Sequence, residues 1–223
     1  MLYIIATPIG NLSDISLRAL ETLKQVDFIL AEDTRQTKKL LNHYDIKTPL
    51  ESYHQHSKLT KTEKIIKLLK DGKNLALVTD AGTPGISDPG GKLISQIVGA
   101  NCHSPIIPIP GPSALTAAAS ISGLPTDSFT FLGFLPTKKG RETLFKEISA
   151  STRTVIFYES THRVLKTLAS LKQYCPTRQV VVCRELTKKF ESVYRGTPEQ
   201  VLTQIQKDKT KGEFVVLVEA DKR

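Results

Sequence analysis

The sequence predicts an α/β protein with two domains and a cleft between them, and three observations lead to this prediction. Short apolar runs alternate with segments of helical periodicity, which is typical of a mainly parallel sheet. The rigid segment Pro108-Ile109-Pro110-Gly111-Pro112 interrupts this alternation near the middle of the chain. Beyond it the predicted strands fall closer together, as in a mixed sheet. We therefore predict a first domain over residues 1–112 and a second over residues 113–223, each long enough to form its own core.

The first domain opens on the apolar run at residues 2–6, which lacks a basic flank and soon meets Pro8 and Gly10. We predict a buried strand there and no signal peptide. Asp14 or Ser16 can cap the helix that follows. The predicted elements, in chain order, are a strand over 2–6, a helix carrying Ile15, Leu17, Leu20 and Leu23, a strand over 26–31, helices near 37–44 and 60–70, a strand over 74–79, a helix near 92–98 and a strand over 106–109.

The second domain opens on a helix of small residues and then alternates strands and helices. Its predicted elements, in chain order, are a helix over 113–121, a strand over 129–135, a helix near 141–148, a strand over 154–158, a helix near 161–171, strands over 179–184 and 190–195, a helix after Pro198 and a strand over 214–219.

Composition limits the kinds of partner. The 223 residues carry a net charge of +9, with 13 Lys and Arg against 11 Asp and Glu up to Gly111, and 18 against 11 from Pro112 onward. A basic second half indicates a polyanionic partner, either nucleic acid or a small molecule with several carboxylates, although many basic proteins bind neither. No run approaches the roughly 20 apolar residues of a membrane span. The three cysteines lack metal-site spacing, which favours reduced thiols in a cytoplasmic protein.

One loop is unusually rich in helix and strand breakers. Asp80–Gly91, with the sequence DAGTPGISDPGG, directly follows a predicted strand. Loops at the carboxyl ends of parallel strands bind ligands in open α/β sheets, and glycines allow close approach of the backbone. A phosphate loop is excluded because position 86 is Ile and Leu93 follows Lys92; the G-x-G-x-x-G nucleotide pattern is also missing. The loop is suited to a ligand held by backbone atoms.

Charged residues follow several other predicted strands. If all these strand ends face one cleft, it collects Glu32, Asp33, Arg35, Asp80, Glu159, Arg163, Glu185 and Lys188. Each one alone is typical of a helix cap or a surface charge, but the set favours a functional site. His54 and His56 share a face of an extended segment, yet no third ligand has suitable spacing, so we predict no metal site. With 6% aromatic residues and no Trp, the sequence shows no aromatic stacking platform.

Seven segments occur in an order that resembles one known family. These are ATPIGNLSD, AEDTR, DAGTPGISDPG, PGPSA, GFLP, FYESTHR and RELTK. Together they resemble the ribosomal RNA small subunit methyltransferase I family of the tetrapyrrole methylase superfamily, and the resemblance runs from residue 2 to about residue 220. It implies two α/β domains with S-adenosylmethionine in the cleft, a fold unrelated to the Rossmann methyltransferases, and a homodimer.

The resemblance also assigns residues to the cofactor. Carried over motif by motif, the cofactor-binding set is Ile9, Gly82, Thr83, Ile86, Ser113, Ala114, Glu159 and Leu186. Many members carry Asp at the position of Thr83, so this sequence lacks that carboxylate. Longer bacterial members have a C-terminal extension of several dozen residues, whereas this sequence ends at Arg223.

The implied reaction is methyl transfer to the 2′-hydroxyl of a cytidine in the decoding region of small-subunit ribosomal RNA. A ribose hydroxyl is a weak acid, so we predict Glu185 or Asp33 as a base and Lys188 or Arg35 as a cation beside the oxyanion or a phosphate. The alternative that Asp33 and Glu185 only hold loop geometry stays open. Two other functions also stay open: methylation of a carboxylate-rich tetrapyrrole, and a non-catalytic module that binds the cofactor and RNA.

Overall fold

The computed structural model describes residues 1–53, 59–88, 90–100, 102–208 and 210–221. It divides into two compact units, Met1–Ser113 and Ala114–Arg223. The prediction of two α/β domains is confirmed, since each unit pairs a five-stranded sheet with helices. None of the helices within the described residues has the length and apolar character that a membrane crossing requires.

The first unit is built on a fully parallel sheet with the strand order β3-β2-β4-β1-β5. Its strands are β1 (Leu2–Ile5), β2 (Phe28–Ala31), β3 (Leu50–Ser52), β4 (Leu75–Val78) and β5 (Ile106–Ile109). Its helices are α1 (Leu17–Gln25), α2 (Thr34–His43), α3 (Leu59–Lys70) and α4 (Gly90–Gly99). Buried residues form one cluster around Ile29 and another around Leu30, so both faces of the sheet are covered.

The first unit adds one strand to the predicted elements and decides between the two predicted caps of α1. Strand β3 was not predicted, because its three residues carry no periodic signal and are defined only by pairing with β2. Helix α1 is capped by Ser16, whose Oγ accepts a hydrogen bond from the Ala19 N–H at 3.1 Å. Asp14 lies instead in a short 3-10 turn over Leu12–Asp14, which Asn11 caps.

The second unit has a mixed sheet with the order β6-β7-β10-β8-β9. Its elements are α5 (Ala114–Ser122), β6 (Phe129–Phe134), α6 (Arg141–Ala150), β7 (Thr154–Ser160), α7 (Val164–Tyr174), β8 (Val180–Arg184), β9 (Ser192–Gly196), α8 (Pro198–Lys207) and β10 (Glu213–Val218). Strands β6 and β7 are parallel, and the other pairs are antiparallel. The carboxyl ends of β6, β7 and β8 therefore share one edge with the amino ends of β9 and β10.

Candidate active site

Three loops at the carboxyl edge of the first sheet are tied to one another by hydrogen bonds. The Thr7 N–H donates to the Gly82 carbonyl at 2.9 Å, and the Gly82 N–H donates back to the Thr7 carbonyl at 3.0 Å. The Thr7 hydroxyl donates to the Thr79 carbonyl at 3.0 Å, and the Thr83 hydroxyl donates to the Pro112 carbonyl at 3.4 Å. The loops after β1, β4 and β5 therefore form one surface, at the edge where open α/β sheets bind ligands.

A single carboxylate shapes the loop between β4 and α4. Asp88 Oδ1 accepts hydrogen bonds from the N–H groups of Gly85 and Gly90, both at 2.7 Å. An added Cβ at Gly90 would lie 2.9 Å from Asp88 Oδ1 and 2.9 Å from the Gly85 nitrogen, so only glycine fits there. Asp88 was not predicted as a site residue. An Asp directly before Pro-Gly is a turn signal that could have identified it.

The predicted cofactor residues of the first unit lie on these same loops. Ile9 is buried, Thr83 and Ser113 are half-buried, and Ile86 is exposed. Gly82 has a φ of +85°, and an added Cβ there would lie 3.6 Å from Ile9 Cγ2. The Ile86 N–H donates to the Thr83 carbonyl at 3.4 Å. The structure thus gathers these five residues into neighbouring loops at one edge of the sheet.

Acidic side chains occupy the adjacent ends of β2 and β4. The Thr79 hydroxyl donates to Glu32 Oε2 at 3.2 Å, and the Asp33 N–H donates to Asp80 Oδ1 at 3.0 Å. Burial raises the pKa of Glu32 against the opposing hydrogen bond from Thr79, and the charge of Asp80 adds to the rise. Asp80 is exposed, but desolvation by its neighbours raises its pKa against the hydrogen bond from the Asp33 N–H. Both carboxyl groups therefore hold a proton more readily than an ordinary acid side chain.

Asp33 has a different environment because it begins helix α2. Its Oδ1 accepts a hydrogen bond from the Arg35 N–H at 2.8 Å, and its Oδ2 accepts one from Arg35 Nη2 at 2.7 Å. The side-chain and backbone hydrogen bonds from Arg35 lower the pKa of Asp33 to about 2. The same hydrogen bond and charge of Asp33 raise the pKa of Arg35. The two predicted residues form an ion pair at the helix N-terminus.

In the second unit, Glu185 begins the loop after β8 with a φ of +50°, which is uncommon for a residue with a side chain. Its Oε1 accepts hydrogen bonds from Lys188 Nζ at 3.0 Å and from the Glu213 N–H at 2.9 Å. Burial raises the pKa of Glu185, but the Glu213 N–H and Lys188 outweigh burial and leave the pKa lowered. Burial lowers the pKa of Lys188, but hydrogen bonds to Glu213 and Glu185 outweigh it and leave that pKa raised.

The next two residues of this loop combine burial with backbone strain. Leu186, a predicted cofactor residue, is buried, and Thr187 has a φ of +64°. The Thr187 hydroxyl is buried and has no hydrogen-bond partner among the described residues. A strained β-branched residue with an unsatisfied hydroxyl is typical of a ligand site, where the ligand supplies the missing partner. Ala114, also predicted to bind cofactor, is half-buried at the start of α5.

Glu159 is engaged in a network inside the second unit. Its side chain is 0% exposed, and its Oε1 accepts hydrogen bonds from the Ser160 N–H at 2.9 Å and from Arg163 Nε at 2.6 Å. Its Oε2 accepts one from the Thr167 hydroxyl at 2.6 Å, and that hydroxyl in turn accepts one from Arg141 Nη2 at 2.7 Å. Because all these partners are internal, any cofactor contact at Glu159 would have to come from its backbone. Thr167 and Arg141 lie on helices outside the quoted motifs and were not predicted.

The described residues contain no group of three or more His, Cys, Asp or Glu side chains that could hold a metal ion. The two histidines weighed as metal ligands, His54 and His56, lie outside the described residues.

Comparison with known proteins identifies the family. The family of tetrapyrrole (corrin/porphyrin) methylases matches residues 1–202. A protein of Halalkalibacterium halodurans named ribosomal RNA small subunit methyltransferase I is 49% identical over 99% of this chain and 76% of its own length. A protein of the same name from Synechocystis is 48% identical over 98% of this chain and 78% of its own length. The chain therefore belongs to the tetrapyrrole methylase family, in the branch of the ribosomal RNA small subunit methyltransferase I proteins.

A solved structure shows the same fold. The crystal structure of diphthine synthase matches 98% of this chain and 89% of its own chain with a TM-score of 0.75, at 15% sequence identity. At so low an identity the likeness concerns the fold alone.

The protein is a methyltransferase, and its methyl donor is S-adenosylmethionine. The residues at the carboxyl edge of the first sheet fit this molecule. Its sulfonium is a cation, which suits the negative field of Glu32, Asp33 and Asp80. Its neutral adenosine suits the apolar side chains of Ile9 and Ile86.

Proposed function

We propose that this methyltransferase methylates the 2′-hydroxyl of a cytidine in the decoding region of small-subunit ribosomal RNA. One observation carries the ribosomal RNA substrate: relatives named ribosomal RNA small subunit methyltransferase I are 48–49% identical over nearly the whole chain. The cytidine 2′-hydroxyl is the finer part of the proposal and rests on the resemblance of the ordered motifs. The basic second half of the sequence, with 18 Lys and Arg against 11 Asp and Glu, supports a polyanionic substrate.

The protein contributes to this reaction more by aligning the two reactants than by covalent catalysis. When bound, the donor supplies an electrophilic methyl carbon attached to a positively charged sulfur. In the transfer the ribose oxygen would form a bond to this carbon as the carbon–sulfur bond breaks, the electron pair would stay on sulfur, and a side chain of the protein would take up the hydroxyl proton as the base. Holding the oxygen in line with the breaking bond can lower the barrier by up to about 7–11 kcal/mol.

Two carboxylates were predicted as this base, Glu185 and Asp33. Each accepts hydrogen bonds from a cation, Lys188 or Arg35, and each has a lowered pKa, so each is a weak proton acceptor. These contacts favour the other alternative, in which the two ion pairs stabilise the conformation of their loops. Lys188 and Arg35 are then the cations that contact a phosphate of the substrate. We propose Asp80 as the base, because it begins the loop that carries Gly82, Thr83 and Ile86, and desolvation raises its pKa.

The substitution Asp80→Asn tests this assignment because Asn keeps an acceptor for the Asp33 N–H while removing the carboxylate. We expect methyl transfer to slow by about 10²-fold or more, as for loss of a general base, with a much smaller loss of donor affinity from removing one charge near the sulfonium. Stability at neutral pH should not fall, because the folded protein disfavours the ionised form of Asp80. Single-turnover rates and urea unfolding measure the two effects. A different result would show that Asp33 or Glu185 is the base. In that case Asp80→Asn transfers methyl groups at the full rate, whereas Asp33→Ala or Glu185→Ala binds the donor normally but does not transfer.

The function itself is tested with methyl-labelled S-adenosylmethionine and small ribosomal subunits from a strain that lacks the modification. Naked ribosomal RNA and a carboxylate-rich tetrapyrrole serve as alternative acceptors. We expect label on one ribose 2′-oxygen of a cytidine. Label on the tetrapyrrole alone would favour the other branch of chemistry in this family, and donor binding without transfer to any acceptor would indicate a non-catalytic module.

We also propose that the protein acts in the cytoplasm as a homodimer. Sedimentation velocity at micromolar concentration gives the mass directly, and a species of 24.7 kDa would show a monomer.

A further inference from the structure

We propose that two exposed rings of the second unit, Phe134 and Phe190, form an RNA-contact surface that stacks unpaired bases of the substrate. Lys138 and Lys139 follow the first ring, and Lys188 and Lys189 precede the second. The proposal rests on the proposed function and names the residues that would hold the RNA. The low aromatic content of the sequence predicted no stacking platform. The structure, however, leaves these two rings unusually exposed at one edge of one sheet.

Phe134 ends strand β6, and its side chain is 58% exposed although it belongs to a large apolar residue. Its ring lies 5.5 Å from the ring of Tyr158, centroid to centroid, and Tyr158 also packs edge-on against Phe131 at 5.0 Å. Phe134 therefore contacts one aromatic ring, that of Tyr158, while more than half of its surface is exposed to solvent. Such a ring can stack on a base of any sequence, since every base has a π face.

The segment after Phe134 is fixed by two arginines. Arg163 Nη2 donates to the Leu135 carbonyl at 2.7 Å, and Arg141 Nη1 donates to the Pro136 carbonyl at 3.1 Å. Both arginines belong to the network around buried Glu159, so the backbone of this segment is anchored to the core. After Thr137 come the exposed Lys138 and Lys139. A rigid aromatic ring and two cations are thus presented together, which lowers the entropy cost of binding.

Phe190 lies in the loop after β8 and is also 58% exposed. Lys189 Nζ lies 5.8 Å from the centre of its ring. Lys188 Nζ is held between Glu185 Oε1 and Glu213 Oε2, at 3.0 and 2.9 Å. The Glu191 N–H donates to the Lys188 carbonyl at 3.1 Å and closes the turn that carries Phe190.

The two aromatic residues lie at the same edge of the sheet. Strand β6 ends at Phe134 and is parallel to β7, which pairs with β10, which in turn pairs with β8. The loop with Phe190 leaves the carboxyl end of β8, at the edge where β6 also ends. Three strand spacings of about 4.8 Å separate β6 from β8, or about 14 Å. Exposed aromatic rings on two loops of one basic edge suit a nucleic-acid strand with several unstacked bases.

The charge at this edge favours RNA over a second copy of this basic chain. Lys138, Lys139 and Lys189 are exposed, while the neighbouring carboxylates Glu185 and Glu213 are paired with Lys188. Glu191 and Glu213 are exposed here as well, but the two segments 134–141 and 185–191 together hold five Lys and Arg against two Glu, so this edge is basic. Bases stack on the rings while phosphates lie against the lysines, a combination that a neutral apolar partner would not use.

The test measures methyl transfer as a function of the concentration of unmodified small subunits. We expect Phe134→Ala and Phe190→Ala each to raise KM for the subunit about tenfold or more, with the Kd for S-adenosylmethionine unchanged. Phe134→Tyr and Phe190→Tyr keep an aromatic face and should stay within about threefold of the unsubstituted protein. Leu17→Ala is the matched control, because Leu17 is 79% exposed on α1 of the first unit and should have no effect.

Co-sedimentation of the same variants with unmodified subunits measures binding independently of methyl transfer. The RNA-contact surface is therefore tested even if the unsubstituted protein transfers no methyl group. An inactive unsubstituted protein would contradict the proposed function; a normal subunit KM and normal co-sedimentation for both Ala variants would overturn the RNA surface. Altered sedimentation mass with unchanged subunit binding would also overturn it, by assigning the rings to contact between copies of the chain.

Discussion

Gly90 lies where the loop that follows β4 turns into α4, and no other residue type fits its space. An added Cβ would meet Asp88 Oδ1 and the Gly85 nitrogen at 2.9 Å and Leu77 Cδ2 at 3.3 Å. Two of these groups belong to the hydrogen-bonded turn that shapes the loop. The loop predicted to bind the cofactor can therefore adopt this shape only because Gly90 has no side chain.

We predict that Gly90→Ala weakens S-adenosylmethionine binding at least tenfold and costs about 1–3 kcal/mol of stability through overpacking. Gly91→Ala is the matched control. Its Cβ would meet only the Gly85 carbonyl oxygen at 3.6 Å and Cα at 3.9 Å, and alanine is the better helix former. Calorimetric titration and urea unfolding report the two quantities. Equal behaviour of the two variants would contradict the steric argument.

The charge of Asp33 leads to a prediction about pH. The Arg35 hydrogen bonds lower its pKa to about 2, below the roughly 3.9 of an unfolded chain. The ionised side chain therefore stabilises the folded state above about pH 4, and this contribution is lost as pH falls towards about 2. We expect Asp33→Asn, which keeps a helix-capping acceptor, to be less stable than the unsubstituted protein at pH 6. Urea midpoints that differ by the same amount at pH 6 and near pH 2 would refute this view.

Among the elements, strand β7 and helix α7 are joined by a buried ion pair between Glu159 and Arg163, 2.6 Å apart. The Thr167 hydroxyl and the Ser160 N–H complete the hydrogen bonds of the carboxylate. Arg163 also donates to the Leu135 carbonyl, so the pair connects three elements. Removing one partner of the pair leaves the other charge buried and unpaired. This loss of stability is larger than the stability that the intact pair contributes.

We predict that Arg163→Met lowers the free energy of unfolding by about 3 kcal/mol, and that Glu159→Gln in the same chain recovers part of the loss. The exposed pair Lys146–Glu142, at 2.9 Å on α6, is the control, and Glu142→Gln should cost less than about 0.5 kcal/mol. Urea unfolding of the single and double variants measures the coupling. A double variant that is as unstable as the sum of the two single variants would show that the charges act independently.

For the whole molecule, the uneven charge is the property with a direct consequence. The 18 Lys and Arg against 11 Asp and Glu after Gly111 contrast with 13 against 11 before it. Binding of a polyanion to such a surface releases counterions, so affinity falls as salt rises.

We therefore predict that the affinity for unmodified small subunits decreases steeply between about 50 and 200 mM salt, with a slope of roughly 0.7–0.9 per phosphate contact in a log–log plot. Donor affinity should change little over the same range, because that ligand carries few charges. Replacing both Lys138 and Lys139 by Gln should reduce the slope by roughly 1 to 2. A flat salt dependence of subunit binding would exclude an electrostatic interface.

Local patterns were sufficient for most of the elements. Strand β5 lies over Ile106–Ile109 as predicted, and α3 and α6 begin within a residue of their predicted starts. Apolar periodicity and capping residues act over one or two turns, so adjacent residues contain the whole signal. Strand β3 escaped this reasoning because three residues form a strand only by pairing with β2, about twenty residues earlier.

The sequence by itself determined the α/β class, the basic second half and, through ordered motifs, the family. The tertiary structure decided which charged residues are engaged with which partners. Asp80 Oδ1 meets the N–H of Asp33, 47 residues away, and Glu185 Oε1 meets the N–H of Glu213, 28 residues away. Such distances along the chain carry no periodic signal, and burial and hydrogen bonding set the proton affinity of a carboxylate only after the strands have paired.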